Sequence, residues 1–395
     1  MRILTASWVV PVDGPPIRDG RVAIEAGRVA WVGSPLDAGE PLGERVDLGQ
    51  GILLPGLVNA HCHLELSWLA GKVPLPSDFV PWVAAVVEAR RSETPEIACA
   101  AAAVAIRSLE EGGTVAVGDV SNTLAHVGLL GSSSLAAVVF YELLGWDPEL
   151  APEVLRRADR RLESVGWRPS PNVEVRLSAH APHSLAPALF RALRQRGGVA
   201  AIHLAESPAE ARFLRDGDEA WESFLRQRAG DIPFAPPGVS PVRYLADLGL
   251  LRPGLVAAHC VQVDGADRKS LARAGVSVAV CPRSNASLEV GVAPVPAMLA
   301  DGVRLCLGTD SLASAPTLDL LDDAASLRQA FPTLDAAAIV RMATAGGAEA
   351  LGFRDLGTIA PGRRAALAFV PTEGPSDEPL ELLLSGEARA RRVAA

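Results

Sequence analysis

Along the first fifty residues, apolar positions come in short runs broken by turn-forming residues. Ile3–Val10, Arg21–Glu25 and Arg28–Gly33 read as strands, separated by Asp13-Gly14, Asp19-Gly20 and Gly27. From Gly51 the texture changes, and compact apolar runs alternate with longer Ala/Leu/Arg-rich stretches of helical period. Strands are predicted over Leu57–His63, Thr114–Asp119, Ala136–Glu142, Val173–His180, Val199–Ala205, Leu255–Val261, Val276–Cys281 and Val303–Asp310. Helices are predicted between most of them, over Phe79–Gly112, Ala151–Gly166, Leu185–Gly197, Ala209–Arg228 and Asp264–Ala274. Strands alternating with helices are the signature of a parallel sheet. The count of eight predicts an α/β fold closed as a (β/α)8 TIM barrel, with an open doubly wound sheet as the runner-up. After a helix around Leu334–Leu351, the tail Gly357–Val370 is again strand-like, with a turn at Pro361-Gly362. Both chain ends are therefore expected to build one small β domain, from residues 1–53 and 354–395, beside a barrel over 54–353. Residues Gly230–Ser240, rich in Pro and Gly, read as a loop after the fifth strand.

Composition narrows the partners. With 49% hydrophobic and 21% charged residues in 395, the chain is globular and not disordered. A net charge of -9 argues against nucleic acid or an anionic membrane as partner, since both call for a basic face. The five cysteines are scattered without a CxxC pair, which speaks against a disulfide framework or zinc ribbon and for a reducing cytoplasm. The apolar run near the N-terminus ends at Pro11 and Asp13, too short for a signal segment, and no apolar run reaches the ~18 residues of a membrane span. The expectation is a soluble cytoplasmic protein.

Histidine placement carries the chemistry. Of the seven histidines, six (His61, His63, His180, His183, His203 and His259) lie at or just after the C-terminal ends of predicted strands. That is the rim where a barrel of this kind carries its active site. His126 is the exception and reads as structural. Side chains alternate along a strand, so His61, His63 and Glu65 are expected on one face, with Cys62 and Leu64 on the other. Two imidazoles on one face, two residues apart, can reach one metal ion. His203 and His259 close two further apolar runs, and Asp310 ends an apolar strand where an unpaired acid is costly. Three histidines and an aspartate would make an open site for Zn2+ or Fe2+, with a position left for water. Glu206, three residues after His203, is the general acid/base candidate. Asp310 could take the water proton, and His259 could orient the nucleophile or the developing oxyanion.

These pieces resemble the mononuclear nucleobase and nucleoside deaminase branch of the amidohydrolase superfamily. The resemblance rests on Leu54-Pro55-Gly56-Leu57-Val58-Asn59-Ala60-His61-Cys62-His63, Gly113-Thr114 with Asp119, His180-Ala181-Pro182-His183-Ser184 and Ile202-His203-Leu204-Ala205-Glu206-Ser207. It continues through Ala258-His259-Cys260, Cys281-Pro282-Arg283-Ser284-Asn285, Gly308-Thr309-Asp310-Ser311 and the closing Leu356–Gly362. What it implies is one divalent metal held by His61, His63, His203 and Asp310, Glu206 as proton shuttle and His259 beside the nucleophile. It also implies substrate contacts by His180 and His183 and by Asn285 or Arg283, with a homodimer as the family habit. Arg364–Leu367 departs from the family pattern, outside the chemistry. Binuclear relatives use a carboxylated lysine at the end of the fourth strand, and neither of the two lysines, Lys72 and Lys269, lies there.

The run His61–Ser67, with Trp82 and Arg90, is similar to bacterial aminodeoxyfutalosine deaminases of menaquinone biosynthesis. Glu65 is then expected either to accept from ribose hydroxyls or to hold a ligand histidine. Glu142, ending the third strand, is a further candidate at the mouth, and Arg283 is the first choice for an acidic substrate tail. The alternatives are S-adenosylhomocysteine, methylthioadenosine or guanine deamination, or a triazine-type chlorohydrolase on the same site. A catalytically dead scaffold is disfavoured, because no ligand and no shuttle is missing.

Overall fold

Eight parallel strands form the body of the protein: β1 (Leu57–Cys62), β2 (Thr114–Ser121), β3 (Ala136–Leu143), β4 (Val173–Ala179), β5 (Ala200–Leu204), β6 (Leu255–His259), β7 (Ser277–Val280) and β8 (Arg304–Leu307). The computed structural model describes residues 1–75, 78–164, 170, 172–230, 235–374 and 376–393. The strands pair in sequence order as two four-stranded sheets, β1 to β4 and β5 to β8. The sheets meet at both edges. Thr309 N and Asp310 N each donate to His61 O at 3.0 Å, and His203 N donates to His180 O at 2.9 Å. These bonds close the expected (β/α)8 barrel.

Small side chains set the barrel interior, where Ala60, Ala116, Ala201 and Ala279 pack with Val58, Val256 and Phe140 over Leu351. The outer face of β2 and β3 buries Val117 and Val139 against Ala102, Ala105 and Leu109 of the helix Pro95–Glu111. Close packing of this kind leaves functional side chains only at the strand ends.

Two predicted helices are each divided. Phe79–Gly112 breaks into Phe79–Ala89 and Pro95–Glu111, because Thr94 caps the second helix and Pro95 opens it. Ala209–Arg228 breaks at Gly217, which takes φ 87°, into Pro208–Asp216 and Glu219–Ala229, the latter capped by Asp218. The helix Ala151–Ser164 is as predicted up to 164; its predicted end at 165–166, like residues 231–234 of the expected loop, lies outside the described residues.

Beside the barrel lie two mostly antiparallel sheets. One orders Arg28–Gly33, Arg21–Glu25, Arg2–Thr5 and Glu44–Asp47; the other orders Arg391–Val393, Leu367–Pro371, Gly51–Pro55, Trp8–Val9 and Ile17–Arg18. Chain ends meet where Gly51–Pro55 pairs with Leu367–Pro371, Leu54 opposite Ala368. The predicted strand Ile3–Val10 is divided between the two sheets, and the strand-like tail narrows to Leu367–Pro371. Residues 357–366 are turns tied down by backbone bonds such as Ile359 N to Pro11 O. Among the described residues no helix is long and apolar enough to cross a membrane.

Candidate active site

Strand β1 ends in His61-Cys62-His63, and alternation turns Cys62 outward into the packing with the helix Pro95–Glu111. His61 and His63 turn to the barrel mouth, where His203 at the end of β5 joins them. The ligand nitrogens of these three histidines lie within 4.8 Å of one another. His63 Nε2 and His203 Nε2 are 3.2 Å apart, and Asp310 Oδ1 is 3.4 Å from His63 Nε2 and 3.7 Å from His61 Nε2. Gly308 makes this approach possible, since a Cβ there would lie 2.8 Å from His61 Cβ and His61 O.

Each donor is held from behind. His203 Nδ1 faces the His180 carbonyl at 3.0 Å and Glu142 Oε1 at 3.2 Å, which turns Nε2 to the centre. Burial opposes a proton on His203, but Glu142 overrides it and raises the ring's basicity. Burial would also raise Glu142, yet His180 and His203 hold it down at about 2. Asp310 Oδ2 accepts from Ser284 Oγ at 2.6 Å and Ser314 Oγ at 3.0 Å, leaving Oδ1 toward the histidines. Burial lowers the pKa of both His61 and His63, so these rings are neutral donors at neutral pH. His61 Nε2 is buried without a hydrogen-bond partner. Four donor atoms aimed at one point, one of them orphaned, fit a divalent cation. The Cys281 thiol also lies near His61 and His259, but burial pushes its pKa well up and keeps it protonated.

Across the same centre, Glu206 Oε1 is 3.6 Å from His259 Nε2, and His259 Nδ1 donates to Asn285 Oδ1 at 2.8 Å. Burial raises the Glu206 pKa above that of an ordinary glutamate, against the pull of His259 and His203. His259 and Asp310 take φ of 69° and 60°, and Ala205, just before Glu206, takes 50°. Non-glycine residues held in this region store about 1–3 kcal/mol each and cluster where geometry matters more than relaxation.

The centre opens into a cavity of about 630 Å3. One wall is a ladder of rings. His203 lies 5.1 Å from His180, His180 6.1 Å from His183, His183 4.3 Å from Trp221 and Trp221 5.6 Å from Phe224. The exposed Arg228 guanidinium sits 5.6 Å over Phe224, one helical turn farther along Glu219–Ala229.

A model of the amidohydrolase family matches residues 52–389, nearly the whole of this architecture. The chain belongs to the amidohydrolase family. It is 33% identical over 368 residues to the aminodeoxyfutalosine deaminase of Deinococcus radiodurans, covering 89% of this chain and 86% of that one. It is 31% identical over 403 residues to the 5-methylthioadenosine/S-adenosylhomocysteine deaminase of Nitratidesulfovibrio vulgaris, covering 96% and 85%. The solved structure of an adenosine deaminase from Xanthomonas campestris with bound zinc superposes with a TM-score of 0.80 at 27% identity, covering 99% of this chain and 89% of that one. The expectation of an amidohydrolase with deaminase relatives is borne out.

In this amidohydrolase, His61, His63, His203, His259, Asp310 and Glu206 come together, with His180, His183 and Glu142 lining the cavity. Three expectations need correction. Glu65 neither reaches the cavity nor holds a histidine. The strand ends at Cys62, and a 3-10 helix over Leu64–Leu69 carries Glu65 away. There it accepts from Arg90 Nη2, Ser121 Oγ, Asn122 N, Thr123 N and Thr123 Oγ1. Arg283 cannot meet an acidic tail, because its guanidinium is bound by Asp322, Asp323, Thr317 and the Asp319 carbonyl. Asn285 accepts from His259 Nδ1 and is not among the residues that line the cavity. His126 is structural as expected, its Nε2 bound to buried Asp119 Oδ2 at 2.6 Å.

Sequence reading missed Ser284 and Ser314 behind Asp310, the Trp221–Phe224–Arg228 wall, and Glu210 behind Glu206. Ser284 lay inside a recognised motif, and Glu210 completes a Ser-x-x-Glu capping signal with Ser207 that was open to notice.

Proposed function

We propose that this amidohydrolase is a metal-dependent hydrolytic deaminase of an adenine-type nucleoside, with aminodeoxyfutalosine the favoured substrate. The observation that carries the reading is Glu206 and His259 facing the three-histidine and Asp310 centre at the floor of a cavity sized for a nucleoside. His61, His63, His203 and Asp310 would hold one divalent ion, zinc or iron. When bound, such an ion lowers the pKa of water from 15.7 to about 7, supplying a nucleophile at neutral pH.

The protein's own groups complete the reaction. Asp310 Oδ1 accepts a proton from the attacking water, while His259 Nε2 accepts from its other O–H and fixes its approach. Glu206, whose raised pKa suits it to carry a proton, donates to the ring nitrogen beside the attacked carbon. As the C–N bond breaks, the amine takes the proton held by Asp310 and leaves as ammonia, and the second proton of the former water passes from the hydroxyl to Glu206, restoring the shuttle. The water oxygen remains as the ring carbonyl. His180 and His183 border the ring site, and the aromatic wall receives the substituent on the ribose.

With Arg283 committed elsewhere, Arg228 becomes the group for an acidic tail. No carboxylate among the described residues pairs with it. Arg228→Gln should raise KM about tenfold for a nucleoside bearing a carboxylated aryl arm and leave adenosine kinetics within twofold, in line with the 1.5–3 kcal/mol of a charge-assisted bond reduced by exposure. Equal effects on both substrates would remove Arg228 from recognition. The free thiols of all five cysteines suit a reducing cytoplasm.

The test is ammonia release by metal-reconstituted protein from aminodeoxyfutalosine, adenosine, S-adenosylhomocysteine, methylthioadenosine, guanine and a chlorinated triazine. Preference for the first supports the substrate. Preference for S-adenosylhomocysteine or methylthioadenosine moves the enzyme to the other relatives' reaction. Turnover of the triazine alone overturns deamination.

A further inference from the structure

Glu206 occupies a position that strand geometry alone would deny it. His203 faces the site, so alternation along β5 puts Leu204 out, Ala205 in and Glu206 out. Yet Glu206 lines the cavity together with His203 and reaches to 3.6 Å from His259. The reversal falls at Ala205, whose φ of 50° takes the backbone out of the extended region. An alanine does not hold that conformation unaided.

Glu210 supplies the hold. It is 1% exposed, in the first turn of the helix Pro208–Asp216, and makes no ion pair with any arginine or lysine among the described residues. Its Oε1 accepts from Ala205 N at 3.1 Å and its Oε2 from Glu206 N at 2.8 Å. Ser207 Oγ accepts from Glu210 N at 3.1 Å, so the helix cap is made. In an ordinary capping box the glutamate would return to the N-cap amide. Here it reaches one and two residues farther back, onto the strained turn. From the other side, Cys260 N and Gln262 N donate to Leu204 O and Ala205 O, completing the clamp.

We infer that Glu210 is a positioning residue for catalysis: its carboxylate holds Ala205 in the left-handed conformation and thereby turns Glu206 toward substrate. Burial pushes the Glu210 carboxyl up to about 8 against the pull of the two amides, but both of its oxygens accept, whereas glutamine would set an NH2 donor against one of those backbone N–H groups. The inference rests on the reading of Glu206 as proton shuttle, but it fails separately. If the reading fails, wild-type protein releases no ammonia from any nucleoside; if this inference fails, wild-type turns over and Glu210→Gln matches it.

The experiment measures kcat, KM and metal content for Glu210→Gln, and for the same change combined with Ala205→Gly. Glu210→Gln is expected to lower kcat 10- to 100-fold, the scale of a misplaced catalytic group, with KM within twofold and full metal content. Glycine adopts positive φ without a clamp, so the double variant should recover at least threefold of the lost kcat. A kcat within twofold of wild type, or a loss that follows metal content and is not recovered by the glycine, overturns the inference. Should Glu210→Gln not fold, Glu210→Asp, which keeps the charge but falls one methylene short, is read by the same criteria.

Discussion

Replacing Glu206 with glutamine is expected to cost about 10^2–10^4-fold in kcat while the protein keeps its metal and its fold. The group is 8% exposed, and burial raises its pKa above that of an ordinary glutamate, which favours the protonated form that donates. Glutamine keeps the shape and the hydrogen-bonding reach but cannot carry that proton. KM should therefore change little, since the loss lies in the transition state and not in binding. The three histidines and Asp310 are untouched, and metal content by elemental analysis should equal that of wild type. A variant rate within tenfold of wild type would take the shuttle role away from Glu206 and leave His259 as the remaining candidate.

Removing the metal is expected to abolish activity altogether. His203→Ala should bind well under one ion per chain and show no turnover above background, and chelation of the wild-type protein should do the same reversibly, with zinc or iron restoring the rate. His203 is central to the donor set: its Nε2 is 3.2 Å from that of His63, and its Nδ1 is the partner of Glu142. Without the ring, buried Glu142 keeps only the bond from Asn122 Nδ2 and loses its partner on Oε1, which adds a stability loss to the lost ligand. Metal binding to the folded chain also stabilises it by mass action, so the chelated protein should melt at a lower temperature than the reconstituted one. Unchanged turnover after complete chelation would remove the metal from the mechanism.

Much of this site was legible because its signals are local. The alternation of apolar runs with helical stretches gave eight strands at nearly their observed limits, and period-2 geometry put His61 and His63 on one face. Clustering of histidines at strand ends located the mouth. Glu65 shows where local reasoning stops. Alternation held only while the strand lasted, and nothing in His63-Leu64-Glu65 marks the change to a 3-10 helix that sends Glu65 to Ser121, Asn122 and Thr123. Arg283 fails for a different reason. A guanidinium near a mouth is a fair anion site until Asp322 and Asp323, some forty residues on, are folded against it.

The sequence by itself determined the element types and the barrel, because these follow from side-chain periodicity, and together with the family resemblance it named the histidines and acids proposed here as metal donors and shuttle. Only the tertiary structure decided which charged groups were already spent, which helix built the cavity wall, and how Glu206 came to face inward. Those depend on pairings between distant residues and on a left-handed turn at Ala205 that no local preference favours and that the packed surroundings hold in place.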